Sequence, residues 1–192
     1  MPKTISLKLV LQSSALVTGI VLLIIAAYIF VKPIIARYEQ IRKEDAAIIE
    51  TILKPAFTGA DSFRKIGSTV FRHRNASMFR VSTGSKIDGY AIEGYGKGYS
   101  GRIRALVITD CDFRIISVKV MHQSESCGLG DKIAAPDFLL QFVGKTADSL
   151  RVKVGSDTGS GVSAITGATI STCGLVDAVK PALVYLKNHA GR

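Results

Sequence analysis

From Leu9 to Val31 the chain carries no charged residue. A helix needs about 20 mainly apolar residues to cross a bilayer, and its backbone polar groups must then be satisfied within the helix itself. The run predicts one transmembrane helix over residues 9–31, flanked by Lys8 and Lys32 and preceded by a short tail, residues 1–8. A cleaved signal peptide fits less well. Its apolar region is typically about 7–15 residues long and ends at a small-residue site, whereas this run closes on Tyr28-Ile29-Phe30-Val31. The segment is therefore expected to remain as an anchor. Charge leaves its orientation open. Lys3 and Lys8 precede the span, and Lys32, Arg37, Arg42 and Lys43 follow it. That count puts the C-terminal side in the cytoplasm, but long domains cross membranes largely regardless of charge.

The remaining length suits one ordinary domain on a stalk. Residues 32–58 read as the stalk. Ile34, Ile35, Ile41, Ala46, Ile48, Ile49 and Ile52 recur at helical spacings, and Pro55 and Thr58-Gly59 end the pattern. Residues 59–192 read as the domain. A hairpin is expected within Phe71–Val81, and strands at Tyr90–Gly96, Ile103–Thr109 and Ile115–Met121, the last two joined by a turn at Asp110-Cys111-Asp112. A short amphipathic helix is expected at Pro136–Val143, a strand at Val152–Val154 and a terminal helix at Gly174–Asn188. Pro181 should kink that last helix or mark its start. The layout is α+β, an antiparallel sheet with helices near one end.

The net charge of +10 raises the question of nucleic acid. The chain has no run of five or six like charges and no aromatic–basic interleaving of the kind that stacks bases, so a nucleic-acid partner is not expected. Arg64-Lys65, Arg72-His73-Arg74 and Arg80 read as a solvated face or one meeting lipid headgroups or an acidic partner. Cys111, Cys127 and Cys173 form no Cys-x-x-Cys pair, and His73, His122 and His189 are widely scattered. No metal site, haem attachment or iron–sulfur cluster is expected within the chain.

Three glycine-rich points stand out. They are Gly96-Lys97-Gly98-Tyr99-Ser100-Gly101, His122 through Ile133 with Gly128-Leu129-Gly130, and Ser163 through Thr172 with Thr166-Gly167-Ala168-Thr169. The first has the outline of a dinucleotide fingerprint but lacks the long helix that should follow. Each point alone reads simply as a turn, and glycine there could also let backbone approach a flat ligand. The third precedes a helical pattern. Locally it reads either as ordinary capping or as a phosphate site at a helix N-terminus.

Taken in order behind an N-terminal anchor, these points resemble a known family, the G subunit of the Rnf complex. That complex is the ion-translocating ferredoxin:NAD oxidoreductase of prokaryotic membranes. The chain is also similar to the C subunit of the sodium-translocating NADH:quinone reductase. The marks are Gly98-Tyr99-Ser100-Gly101, His122 with Glu125, Gly128-Leu129-Gly130-Asp131-Lys132-Ile133, Gln141-Phe142-x-Gly144-Lys145 and Thr166-Gly167-Ala168-Thr169-Ile170-Ser171. The resemblance implies an FMN-binding domain with FMN joined through a phosphoester to Thr169, the hydroxyl residue ending the motif. Thr166, Gly167, Ala168, Ile170, Ser171 and Thr172 would line the phosphate or ribityl chain. Tyr99, Glu125, Gly128, Leu129, Gly130 and Lys132 would surround the flavin. Thr169 would be a modification site, and no residue is assigned as catalytic.

The resemblance further implies a single-pass protein of the inner membrane, with its domain on the periplasmic side, where a flavin transferase acts. Its partners would be membrane lipid and the other subunits, including a second covalent-FMN subunit and iron–sulfur subunits. Two departures are visible. Thr166 stands where the family more often has serine, and Glu125-Ser126-Cys127-Gly128 replaces Glu-Thr-Pro-Gly, losing a proline that fixes φ. The alternatives are an anchored FMN subunit of another respiratory reductase, and an anchored sensor or binding module with no redox role.

Overall fold

The computed structural model describes residues 49, 51–57, 59–71, 74–155, 157 and 159–190, with Tyr28 and Lys32 as isolated helical positions. The expected transmembrane helix and most of the expected stalk lie outside the described residues. The chain divides into two units, Met1–Ile48 and Ile49–Arg192. In the first, the Lys32 ammonium lies 5.9 Å from the centre of the Tyr28 ring.

In the second unit five strands run in sequence order as an antiparallel meander: β1 (Ser62–Phe71), β2 (Arg74–Thr83), β3 (Lys86–Lys97), β4 (Arg102–Thr109) and β5 (Ile115–His122). The β-branched runs in β4 and β5 form strands as their composition dictates. The hairpin expected within Phe71–Val81 turns at its very start, where Phe71 pairs with Arg74, and the rest of that stretch is one strand. The following hairpin has a two-residue loop with Gly84 at φ +56°, a conformation glycine adopts without the Cβ penalty. The turn after β4 fills residues 110–114, between the strand ends that the sequence leads one to expect. Asp110 folds it by accepting from the backbone N–H groups of Asp112 (2.9 Å) and Arg114 (2.8 Å). Phe113, at φ +59°, stacks on Tyr90.

Alternation along the strands divides the core in two. One face carries Ile92, Ile103, Ala105 and Val107. The other carries Phe79, Val81, Ala91, Leu106 and Ile108, and is covered by Ile49 and Leu53, with residues 51–56 helical. Two residues of the expected stalk thus belong to the domain core. Buried aliphatics of this kind stabilise by about 1.5–3 kcal/mol each.

The first face is covered by the C-terminal helix, Thr169–His189, through Leu175, Val179, Ala182, Leu183 and Leu186. Glycines set how closely it lies. A Cβ on Gly96 would sit 1.9 Å from the carbonyl oxygen of Gly174, and one on Gly94 2.0 Å from that of Ala178. A Cβ on Gly174 would in turn meet the Lys97 carbonyl oxygen at 2.6 Å. Backbone therefore packs on backbone along this seam. The helix starts five residues before the expected Gly174, because burial of Ser171 and Thr172 overrides their modest helix propensity. It also continues through Pro181, which neither starts nor ends it. Among the described residues it is the one helix long and apolar enough to cross a membrane, yet 56% of its apolar window is buried inside the protein, as befits a core helix.

The remaining elements close the end of the core. A 3-10 turn covers Gly130–Ala134, and Pro136–Leu139 is helical and continues as 3-10 at Leu140–Phe142, close to the expected helix. Val152–Lys153 (β6) pairs in parallel with Val162–Ser163 (β7), and Lys180 ties the helix to this end by donating to the Leu150 carbonyl at 3.0 Å.

Candidate functional site

The three glycine-rich points converge at one end of the C-terminal helix, and Glu125 joins them. Its carboxylate is buried, at 6% exposure, just after β5. Oε2 accepts from the Tyr99 N–H at 2.9 Å, and Oε1 accepts from the Ser100 and Gly101 N–H groups at 3.1 and 3.2 Å. The Ser171 hydroxyl, in the first turn of the helix, also donates to Oε2. Burial pushes the Glu125 carboxyl upward, but the hydrogen bonds from Ser171 and from the Tyr99, Gly101 and Ser100 amides outweigh it, so it sits below the usual carboxylate range.

Local sequence explains the geometry. The 98–101 segment is a tight turn closed by Gly98 N–H on the Gly101 carbonyl at 2.7 Å, which gathers successive N–H groups into an anion nest. A Cβ on Gly98 would fall 2.3 Å from Glu125 Oε1, and one on Gly130 would fall 2.9 Å from Ser171 Oγ. Glycine at these two points makes room for the protein's own carboxylate and hydroxyl. After Glu125 the chain coils tightly. The Ser126 carbonyl accepts from Leu129, Gly130 and Asp131, while Gly128, at φ +75°, donates to Asp131 Oδ2 at 3.0 Å. Cysteine in place of proline at 127 leaves an exposed, free thiol at this loop.

The helix N-terminus is built without a side-chain cap. Ala168 is the N-cap, with no side-chain hydrogen bond, and no acidic residue occupies the first turn. Thr172 turns its hydroxyl inward, donating to the Ala168 carbonyl at 3.1 Å and accepting from the Ile165 N–H at 3.2 Å. Ordinary Ser/Thr capping is thus not what this hydroxyl-rich segment does. It leaves first-turn N–H groups and the positive end of a 21-residue helix available to an anion. Gly167, at φ +80°, approaches the helix start beneath Leu129, whose Cδ1 lies 3.3 Å from where a Cβ would be.

Residues 98–184 match the family model described as the FMN-binding domain. This segment is similar to FMN-binding domains. It contains every expected site residue from Tyr99 to Thr172. The chain is 27% identical over 169 residues to the G subunit of the proton-translocating ferredoxin:NAD(+) oxidoreductase complex of Clostridium ljungdahlii, covering 88% of this chain and 85% of that protein. It is 37% identical over 118 residues to the G subunit of the ion-translocating oxidoreductase complex of Aliivibrio fischeri, covering 58% of this chain but 56% of that protein. Among solved structures, NqrC of Shewanella oneidensis superposes with a TM-score of 0.51 over 68% of this chain and 72% of that one, at 24% identity. That last likeness shows a shared fold.

The chemistry of the residues at this site fits FMN. A phosphate suits the uncapped helix start, and a flat aromatic ring suits exposed apolar side chains such as Tyr99, Leu129 and Ile170, which are 70%, 40% and 55% exposed. Thr169 is the first helical residue and is half-buried; Thr166 and Gly167 are exposed. Lys132 is exposed on the 3-10 turn, and Ala168 is buried beneath the helix start. Glu125, Gly130, Ser171 and Thr172 form the buried layer behind these residues. Sequence reasoning placed Glu125 among the flavin's neighbours without its role as a tie between loops. It missed the helix seat at Gly94 and Gly174. The signal was present: Gly94 and Gly96, two apart on a strand, share one face.

Proposed function

We propose that this protein is the electron-transferring FMN subunit of a membrane-bound, ion-translocating ferredoxin:NAD oxidoreductase of the Rnf type, with FMN joined through its phosphate to Thr169. The observation that carries the reading is the uncapped start of the C-terminal helix, with Thr169 as its first residue and no acid in the first turn, inside the segment that matches the FMN-binding domain model. The names of the relatives in Clostridium ljungdahlii and Aliivibrio fischeri supply the complex.

FMN supplies the electron transfer, and the protein supplies attachment, orientation and tuning. The first-turn N–H groups hold the phosphate, with the helix dipole favouring its charge. Gly167, at φ +80°, lets the chain turn tightly into the helix beside that phosphate. Tyr99, Leu129 and Ile170 offer apolar surface to the ring, and Lys132 places a positive charge at the rim. Thr169 is the acceptor of the phosphoester, so its role ends with attachment. A flavin transferase acting outside the cytoplasm places the domain on the periplasmic side of the inner membrane, behind the anchor at residues 9–31. Iron–sulfur subunits and a second covalent-FMN subunit are the electron partners.

The test is purification of the tagged protein from native membranes. The reading expects flavin fluorescence that stays with this polypeptide on a denaturing gel, and co-purifying subunits that carry iron–sulfur absorbance. A colourless polypeptide, isolated alone from membranes whose other covalent flavoproteins fluoresce, contradicts it.

A further inference from the structure

We propose that Glu125 is a positioning residue for the flavin ring: one buried carboxylate fixes the backbone of Tyr99 and the first turn of the C-terminal helix, and so sets the Tyr99 ring at a constant spacing from Thr169. The proposal rests on the FMN reading of this site.

Four donors converge on the two oxygens, three of them backbone amides of consecutive residues and the fourth the Ser171 hydroxyl. They come from positions 24–26 residues before Glu125 and 46 residues after it. An ionised carboxylate accepts only, with about four lone-pair sites, so it matches this set of donors one for one. The glycines confirm that the fit is built. Neither Gly98 nor Gly130 can carry a Cβ without striking Glu125 or Ser171. Tyr99 is the unusual member. Its amide is tied to a buried anion, yet its side chain is 70% exposed. A turn that served only the fold would not need a large aromatic held outward there. A tie that fixes both the backbone carrying the Tyr99 ring and the helix start suits a ligand that is attached at one and stacked on the other.

Glutamine at 125 separates these roles, because it accepts through one oxygen and donates through its nitrogen. With the oxygen toward Ser100 and Gly101, the amide nitrogen faces Ser171 and Tyr99. The Ser171 hydroxyl can rotate to accept, but the Tyr99 N–H cannot. Glu125→Gln thus keeps the helix side and frees the Tyr99 side.

The experiment uses the full-length protein, produced with a flavin transferase and purified in detergent, with intact mass to report loading and flavin fluorescence to report the ring's surroundings. Fluorescence is read per FMN bound, with intact mass giving the loading of each protein. Glu125→Gln should fluoresce about twofold more strongly, because a stacked aromatic is loosened from the ring. In a Tyr99→Ala background the substitution should add nothing. Unchanged fluorescence in loaded Glu125→Gln, an increase that persists without Tyr99, or loss of loading in folded Glu125→Gln each overturns the proposal alone. Absence of FMN from the wild type overturns the FMN reading and the proposal together. Should Glu125→Gln fail to fold, Ser171→Ala carries the test, since it cuts the tie from the helix side. A rise that vanishes in the Tyr99→Ala background supports the proposal, and unchanged fluorescence refutes it.

Discussion

Gly96→Ala should destabilise the domain by moving the helix that carries the site. The added Cβ would lie 1.9 Å from the Gly174 carbonyl oxygen, 2.9 Å from its carbon and 3.0 Å from the Ala178 nitrogen, whereas ordinary contact begins at 3.4 Å. Strand and helix backbone must therefore separate by about 1.5 Å. None of the three atoms belongs to a side chain that can rotate away. Overpacking of a core costs about 1–3 kcal/mol, and the loss of unfolded-state freedom on replacing glycine returns about 0.4–1 kcal/mol. A backbone clash belongs at the upper end, so the net loss should be about 2 kcal/mol or more. Gly67→Ala is the internal control. It lies at a bulge in β1, and its Cβ would meet only Met78 Cε, at 3.5 Å. That substitution should be neutral or slightly stabilising. The assay is urea unfolding of the detergent-solubilised protein, followed by far-ultraviolet circular dichroism. Equal midpoints for Gly96→Ala and Gly67→Ala would refute the idea that the helix is seated on backbone.

Three further outcomes follow from other contacts. Glu125→Ala strands three backbone N–H groups and the Ser171 hydroxyl; with hydrogen bonds to charged groups worth about 1.5–3 kcal/mol each and partial rescue by water, it should cost about 2–4 kcal/mol in urea unfolding. Because the folded Glu125 carboxyl lies below the ordinary value of 4.5, its contribution is fully present above that value and is lost as pH falls through the folded one. The stability gap between wild type and Glu125→Gln should therefore narrow on acidification below that value, and a gap that widens would reverse the sign. Burial and then Asp110, Asp88 and Asp112 push the Cys111 thiol up. Asp88→Asn should raise its thiolate fraction and speed its alkylation at fixed pH, as read by mass spectrometry.

The elements most legible in the sequence were those with a strong local signal. Ile103–Thr109 and Ile115–Met121 are β-branched runs separated by acidic turn residues, and they form β4 and β5 with little change of bounds. The helix start was read five residues late, because Thr169, Ile170, Ser171 and Thr172 have weak helix propensity, and the burial of Ser171 and Thr172, with the Ser171 bond to Glu125 far away in sequence, is what extends the helix there. The same limit hid the work of the glycines. A glycine-rich turn gives no sign of which atom it makes room for, and at Gly98 and Gly130 that atom belongs to Glu125 or Ser171. The convergence of three segments was legible only through their order and their resemblance to a family. The carboxylate that joins them spans 46 residues to Ser171, a distance no local pattern encodes.

The most direct test of the account is the intact mass of the full-length protein produced with and without a flavin transferase, beside Thr169→Val produced with it. The account predicts a gain equal to FMN less one water, present only with the transferase and absent from the variant. A membrane-inserted wild-type protein that gains no such mass with the transferase present, or a Thr169→Val variant that gains it in full, would contradict it.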